Sequence, residues 1–204
     1  RVRRGPERWI LALYPEGFVE ASSAFLGVHR LLAEWSLPVP KVAHCDGSLG
    51  VILLEDLGDT SLQDHLESAT AAERAALYEA ALDDLVRMQR SATLAGGAAP
   101  CFALAFDVGK LAWELDFFVQ HFLEGLCGQL LDARERAGLT QGFHRLCAEI
   151  AGWPRVLCHR DYHSRNLMWR AGRLWWIDYQ DARMGPVTYD LASLLRDSYV
   201  ELEE

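Results

Sequence analysis

The feature that most constrains the fold of this chain is a polar segment, residues 159–166, that is followed by two short apolar runs. The runs span 167–169 and 174–177 and flank an Ala-Gly turn signal, a pattern that predicts two antiparallel strands joined by a tight turn. Such a hairpin carries the chain out and back. Asn166 and Asp178 are therefore predicted to lie side by side at its open end.

The spacing of the polar residues indicates phosphoryl transfer. Four residues separate Asp161 from Asn166, as in kinase catalytic loops, where an Asp accepts the proton of the substrate hydroxyl and an Asn binds metal. Asp178 adds a second oxygen ligand, which suits Mg²⁺ because this ion takes few protein ligands and shares phosphate oxygens. We predict a catalytic loop over 159–166 with Asp161 as the base. We also predict a metal-binding hairpin over 166–178, with Asn166 and Asp178 as the ligands.

Two histidines accompany this loop. His159 is expected to be structural, packing against the metal-binding strand and holding the loop by a hydrogen bond, because Asp161 already serves as the base. His163 is a candidate catalytic residue, since protein kinases carry a phosphate-contacting Lys two residues after the base; a surface position remains the alternative. His159, Asp161 and His163 also match His-x-Asp-x-His, which suggests a metal-dependent hydrolase. That alternative leaves the hairpin unexplained.

Three segments together resemble the aminoglycoside phosphotransferase and choline kinase superfamily, namely residues 159–168, 177–182 and 185–197. Within this superfamily the amino-acid sequence of the loop is most similar to that of the bacterial kinases of cell-wall recycling. Those kinases phosphorylate the anomeric hydroxyl of N-acetylmuramate and N-acetylglucosamine. Antibiotic-modifying members more often begin the loop with His-Gly-Asp. This chain has His-Arg-Asp there.

The resemblance implies an α+β fold of the protein-kinase-like, two-lobed type, with a small β-rich N-lobe, a mostly helical C-lobe, and ATP and Mg²⁺ as cofactors. Residues 1–57 would form a partial N-lobe, and residues 59–204 a partial C-lobe, so that the chain is apparently truncated at both ends. Asp190 would brace the catalytic loop from beneath. A hinge near 55–58 would contact adenine through its backbone, at Glu55, Asp56 and Leu57.

Local patterns outside the loop fit this frame. The predicted elements are a strand over 8–13, an amphipathic helix over 19–35, an extended connector over 37–40, a strand from 51, a capped helix over 70–88, a surface connector over 91–100 and a helix over 107–126. The aromatic residues of the last helix are at core spacing and are predicted to pack rather than to form a sugar-stacking platform. They are Trp113, Phe117, Phe118 and Phe122.

The chain also departs from the kinase pattern. It has no Gly-rich phosphate loop, and the first predicted strand lacks the Lys that kinases use to contact the α- and β-phosphates. Lys41 and Lys110 are the only lysines, so an Arg among residues 1–4 substitutes for it or the role is lost. Glu20 is the best candidate for the helix partner of that cation, with a solvated helix-start acid as the alternative.

Composition sets the remaining bounds. The 204 residues include no apolar run of the ~18 residues that a membrane span needs, and the start lacks a secretory signal. Five scattered cysteines without a Cys-x-x-Cys pair favour a reducing, cytoplasmic compartment. A net charge of -9 argues against nucleic acid as a partner. We therefore predict transfer of the γ-phosphate of ATP to a small amino sugar. The alternatives are an aminoglycoside or other small-alcohol kinase, the metal hydrolase, and a nucleotide-binding relative without catalysis, which the missing Lys would favour.

Overall fold

An antiparallel sheet opens the chain in the computed structural model, which describes residues 1–97 and 99–202. Its strands run in the order β1-β2-β4-β3. The bounds are Val2–Arg4 for β1, Glu7–Leu13 for β2, Val42–Asp46 for β3 and Val51–Glu55 for β4. Alternate residues of a strand face opposite sides of a sheet, so Ile52 and Leu54 of β4 share one face with Ala12 of β2.

The helix α1 (Ala24–Glu34) is shorter than the predicted helix over 19–35. A 3-10 turn over Glu20–Ser22 comes first, and Ser23 is extended, with φ -65° and ψ 120°. The Ser23 hydroxyl accepts a hydrogen bond from the Leu26 N–H at 3.3 Å, so it acts as the N-cap of α1. Ser at this position therefore starts the helix later than the apolar pattern alone suggests.

The second half of the chain is mostly helical. Its helices are α2 (Leu62–Leu66), α3 (Ala71–Ala95), α4 (Pro100–Ala103), α5 (Val108–Phe118) with a π-helical continuation over Val119–Leu126, α6 (Ala133–Ala151) and α7 (Tyr189–Leu195). The capping box predicted at Thr70 is confirmed, because Thr70 and Glu73 exchange hydrogen bonds. The predicted connector over 91–100 is wrong at its start: α3 continues to Ala95 and ends at Gly96, where φ is +50°.

Two strand pairs complete the fold and frame the polar loop. β5 (Arg155–Cys158) pairs with β8 (Arg183–Pro186), and β6 (Leu167–Arg170) pairs with β7 (Arg173–Trp176), both antiparallel. The predicted hairpin is confirmed as β6–β7. Its two turn residues, Ala171 and Gly172, have φ of +51° and +80°, the left-handed pair that a two-residue hairpin turn requires.

The core lies between α1, α3 and the two strand pairs. Its largest fully buried side chains are Trp176 of the hairpin, Tyr162 of the loop and Tyr179, three residues beyond β7. Burying side chains of this size stabilises the fold by ~1.5–3 kcal/mol each. The Tyr162 hydroxyl also donates a 2.7 Å hydrogen bond to the carbonyl of Ala81 in α3. The polar loop is thus anchored from below by the helix on which it rests.

The aromatic residues of α5 do not join this core. Trp113, Phe117, Phe118 and Phe122 retain between 42% and 55% of their accessible surface, so the prediction that they pack in the interior is wrong. The inward face of the helix is formed by Leu111, which packs with Phe106, Cys147 and Cys158. No helix in the described part of the chain combines the length and apolar character of a membrane span.

Candidate active site

The predicted catalytic loop joins β5 to β6, and a buried carboxylate holds its first residues. Asp190 accepts hydrogen bonds from the backbone N–H groups of His159 at 2.7 Å and Arg160 at 2.9 Å. Arg160 has a φ of +89°, which is unfavourable for a residue with a side chain and persists only where its surroundings impose it. Its guanidinium also pairs with Asp181 at 3.1 Å. Asp190 thus contacts the entrance of the loop, where the resemblance places a bracing residue.

The charge state of Asp190 is set by two opposing effects. Burial raises its pKa to about 7, because an ionised carboxylate loses its hydration in the interior. The two N–H donors from His159 and Arg160 favour the ionised form and limit that rise. Asp190 therefore forms hydrogen bonds with the loop backbone and has a pKa well above the usual value for an Asp side chain.

Asn166 and Asp178 come together at the open end of the hairpin. The Ile177 N–H donates to the Asn166 carbonyl at 3.1 Å, and both Asn166 and Asp178 line a cavity of about 370 Å³ beneath the sheet. The Asn166 amide nitrogen donates to the Asp161 carbonyl at 2.9 Å, and no group in the described part of the chain donates a hydrogen bond to its side-chain oxygen, which can therefore coordinate a cation. Two residues with side-chain oxygen atoms thus line one cavity, and oxygen is the ligand atom that Mg²⁺ prefers.

The backbone at Asp178 is strained. Its φ of +64° lies in the left-handed region, two residues beyond the end of β7. The Gln180 amide donates to one Asp178 oxygen at 2.6 Å and holds the carboxylate in place. Strained residues of this kind concentrate at functional sites, because the surrounding structure must support them.

The two histidines occupy different environments. His159 is fully buried and its ring lies 5.5 Å from Tyr162 and 5.7 Å from Trp176 of β7. Burial lowers its pKa to about 4, so the ring is neutral at pH 7. Within the described residues no side chain or backbone group forms a hydrogen bond with its ring nitrogens, so the predicted contact comes from packing and from its backbone N–H. His163 is half-buried, with Nε2 3.4 Å from the Asn166 amide nitrogen.

A second carboxylate, which the sequence analysis did not single out, holds the far half of the loop. Asp197 accepts the N–H of Ser164 at 2.8 Å and the N–H of Tyr199 at 2.8 Å. The Tyr199 ring in turn contacts the Arg165 guanidinium at 3.7 Å and the His163 ring at 5.2 Å. Its sequence signal is only an Asp two residues beyond α7, which is too common a pattern to indicate such a contact.

The predicted adenine-contacting residues lie around a second cavity. Glu55, Asp56 and Leu57 line a cleft of about 750 Å³, whereas Asn166 and Asp178 line the smaller cavity. Strand β4 connects the two, since Leu54 faces the small cavity and Glu55 the large one. Glu55 also pairs with Arg170 of β6 at 2.5 Å, which joins the sheet to the hairpin.

The cation expected opposite the phosphates does not lie in the small cavity. Among the described residues that line it there is neither Lys nor Arg, and β2 contributes Ala12 and Tyr14. Of the proposed substitutes, Arg1 pairs with Asp56 at 3.1 Å, and the side chain of Arg4 lies outside the described part of the chain. The carboxylate of Glu20 lies 4.0 Å from the Arg30 guanidinium.

The rival metal-hydrolase site is not supported by this geometry. Residues 1–97 and 99–202 contain no group of three or more His, Cys, Asp or Glu side chains arranged to hold a metal ion. His159, one of its three proposed ligands, is enclosed by aromatic rings. The hydrolase interpretation therefore lacks its ligand set.

Comparisons with known proteins place this arrangement among phosphotransferases. A family model described as "Phosphotransferase enzyme family" matches residues 1–204. An N-acetylmuramate/N-acetylglucosamine kinase of Neisseria meningitidis serogroup B is 36% identical over 168 residues, which are 81% of this chain and 48% of the relative. The kinase of the same name from Pseudomonas aeruginosa is 33% identical over 201 residues, 98% of this chain and 57% of the relative.

Solved structures show the same fold at low identity. The ADP-bound aminoglycoside phosphotransferase APH(2'')-Ib superposes with a TM-score of 0.65 and 16% identity, over 95% of this chain and 66% of that one. The two-lobed kinase-like fold predicted from the sequence is thereby confirmed. The chain spans about half the length of the curated relatives it matches.

Proposed function

The chain belongs to the phosphotransferase enzyme family, and from this premise we propose that it transfers the γ-phosphate of ATP to a hydroxyl of a small amino sugar. The observation that carries the proposal is that Asn166 and Asp178 line one cavity at the open end of the hairpin, while the Asn166 amide donates a 2.9 Å hydrogen bond to the backbone carbonyl of Asp161. Phosphoryl transfer needs little more from a protein than positioning and charge stabilisation, and this set supplies both.

Each residue has a distinct proposed role. The Asp161 carboxylate orients the acceptor hydroxyl and takes its proton as the new oxygen–phosphorus bond forms and ADP departs. Asn166 and Asp178 would hold Mg²⁺ through their oxygens. The ion, when bound, neutralises the charge that develops on the phosphate oxygens. Glu55, Asp56 and Leu57 would present backbone groups to the adenine.

The neighbouring residues support this set. His159 and Asp190 are proposed to hold the entrance of the loop, one by packing and the other by its two backbone hydrogen bonds. His163 lies within 3.4 Å of the Asn166 amide nitrogen, which supports a role beside the transferred phosphate. We place the reaction in the cytoplasm, in keeping with five cysteines that form no disulfide.

The acceptor is proposed to be N-acetylmuramate or N-acetylglucosamine, at the anomeric hydroxyl. Support comes from the relatives in Neisseria meningitidis and Pseudomonas aeruginosa that are named N-acetylmuramate/N-acetylglucosamine kinases. The His-Arg-Asp sequence at the start of the loop is a second support. An aminoglycoside is the second candidate, because the fold is shared with APH(2'')-Ib and a fold does not determine the substrate.

A substrate comparison tests the proposal. The complete gene product is assayed for ATP consumption with N-acetylmuramate, N-acetylglucosamine and kanamycin, with Asp161→Asn as the background control. We expect a higher kcat/KM for at least one of the two amino sugars than for kanamycin. A higher kcat/KM for kanamycin would replace the sugar kinase by the aminoglycoside kinase.

A further inference from the structure

A buried aromatic cluster connects helix α1 to the segment that carries Asp178. Its members are Phe25 and His29 of α1 and Tyr179, the residue that follows Asp178. The Phe25 ring lies 5.4 Å from the Tyr179 ring and 5.8 Å from the His29 ring, and both pairs are stacked. Phe25 and Tyr179 also line the small cavity, together with Asn166 and Asp178. The cluster therefore forms part of the wall of the proposed metal site.

A hydrogen bond fixes the contact between α1 and Tyr179. The Tyr179 hydroxyl lies 3.0 Å from Nδ1 of His29, which is a hydrogen-bond distance in either tautomer of the ring. Both residues are buried, so water has little access to the two groups and loss of one partner leaves the other unsatisfied. Stacked rings can slide past each other, whereas a hydrogen bond weakens steeply away from its preferred geometry. The bond therefore specifies one position of Tyr179 against α1.

Asp178 is held between two anchored neighbours. The Ile177 N–H donates to the Asn166 carbonyl at 3.1 Å, and the Tyr179 side chain bonds α1. Asp178 itself has a φ of +64°, a conformation that persists only where the surroundings impose it. The contacts from Ile177 and Gln180 remain within the segment 166–180, whereas Tyr179 reaches a separate element. The Tyr179 bond therefore relates the orientation of Asp178 to α1.

We propose that the hydrogen bond between His29 and Tyr179 positions Asp178 as a metal ligand. Both are positioning residues, since they act through the backbone of Asp178. Without the bond, Asp178 occupies its binding orientation for a smaller fraction of the time, and the apparent affinity for Mg²⁺ falls by that fraction. The inference rests on the proposed function, because it concerns the metal end of the same site.

Calorimetric titration of the complete gene product with ATP, without acceptor, tests this role. The Kd of ATP is measured over a series of Mg²⁺ concentrations and also with a chelator. In Tyr179→Phe and in His29→Leu, the Mg²⁺ concentration that gives half of the gain in ATP affinity should rise roughly three- to tenfold, the effect of one buried hydrogen bond. The Kd with chelator should stay within about twofold of wild type, because the Tyr179 and Phe25 rings still line the cavity.

Two further single variants serve as controls. In His29→Asn the amide can take the place of Nδ1 and keep a hydrogen bond with Tyr179, so the Mg²⁺ requirement should stay within about twofold of wild type. Tyr78→Phe makes the same chemical change at another buried tyrosine of the core. In the described part of the chain no group forms a hydrogen bond with the Tyr78 hydroxyl, so this variant should keep the wild-type Mg²⁺ requirement.

A double variant separates positioning from stability. Tyr179→Phe combined with His29→Leu removes both polar partners, and such a replacement can be nearly neutral for stability. Thermal unfolding should therefore recover towards wild type, while the Mg²⁺ requirement should stay as high as in the single variants. A merely structural contact would restore both quantities together, which would overturn the positioning role.

The remaining outcomes separate this proposal from the proposed function. A wild-type Mg²⁺ requirement in Tyr179→Phe, or a parallel loss of ATP affinity with Mg²⁺ and with chelator, overturns the positioning role. If Tyr179→Phe does not fold, the comparison of His29→Leu with His29→Asn decides the same point. The expected shifts in Mg²⁺ requirement without phosphorylation of any acceptor would sustain the positioning role and overturn the kinase function. ATP binding that does not respond to Mg²⁺ in the wild type would overturn the positioning role, even if an amino sugar is phosphorylated.

Discussion

Two buried ionisable side chains titrate in opposite directions, His159 at the start of the predicted catalytic loop and Asp190, which accepts the backbone N–H of His159. The pKa of Asp190 rises from 3.8 to about 7 on folding, and that of His159 falls from 6.5 to about 4, both chiefly through burial. Asp190 therefore stabilises the fold most below about pH 4 and loses that contribution as the pH rises to about 7. His159 contributes fully above about pH 6.5 and loses that contribution as the pH falls to about 4. Their effects nearly cancel between these limits.

Removing one of these two titratable groups should reveal the pH dependence of stability that the other contributes. In Asp190→Asn, the slope of unfolding free energy against pH should become more positive by up to about 1.4 kcal/mol per pH unit between about pH 4 and 7. His159→Asn should change that slope by a similar amount in the opposite direction. Urea unfolding across this range measures both. An unchanged slope in Asp190→Asn would mean that its two backbone N–H donors outweigh burial and keep Asp190 ionised.

At the proposed base, the expected effect is on rate. Asp161→Asn should lower kcat by ~10² to 10⁴-fold, because the amide keeps the shape of the side chain but cannot accept the proton. Affinity for Mg-ATP should change little, since Asp161 acts on the acceptor and not on the nucleotide. Single-turnover kinetics with titration of the nucleotide separate the two quantities. Wild-type turnover in this variant would remove Asp161 from its role.

At the scale of elements, the hairpin turn controls where Asn166 and Asp178 meet. Ala171 adopts φ +51°, in which a Cβ costs ~1 kcal/mol, whereas Gly172 at +80° has no such cost. Ala171→Gly should therefore stabilise the protein by up to about 1 kcal/mol. Gly172→Ala is the matched control and should destabilise it, although an added Cβ there meets no atom within 4 Å. Thermal unfolding distinguishes these outcomes, and a loss of stability in Ala171→Gly would contradict the turn assignment.

Local signals explain which elements the sequence predicted. The turn at 171–172 and the capping box at Thr70 act over a few residues, so β6–β7 and the start of α3 were predictable. The pairing of β5 with β8 joins residues about thirty positions apart and has no local signature. The hydrogen bond from the Ser164 N–H to the Asp197 carboxylate is likewise a tertiary contact without a local sequence signal.

The aromatic residues of α5 show a second limit of prediction from sequence. Helical spacing identifies which residues share a face but not what that face meets. Trp113 and Phe117 share a face as the pattern indicates, yet that face is exposed and Leu111 forms the contact with the interior. The sequence therefore predicted the helix and misplaced its buried side.

At the scale of the whole molecule, the candidate site lies where the sheet meets the hairpin. The small cavity takes Ala12, Ile52 and Leu54 from the sheet and Asn166 and Asp178 from the hairpin. A separate contact holds the same two parts together, the 2.5 Å ion pair between Glu55 of β4 and Arg170 of β6. A ligand in this cavity contacts both parts at once, so its binding should stabilise their packing.

This coupling predicts a ligand-dependent unfolding temperature. Mg-ATP at a hundred times its Kd should add about 2.7 kcal/mol of stability, which for a protein of this size raises Tm by roughly 5–10 °C. Asp178→Ala should lose most of that rise, because a metal ligand stabilises the bound nucleotide in its ground state. Asp161→Asn should retain it, and ATP with a chelator should reproduce the Asp178→Ala result in the wild type. Equal shifts for the two variants would contradict the assignment of Asp178 as the metal ligand.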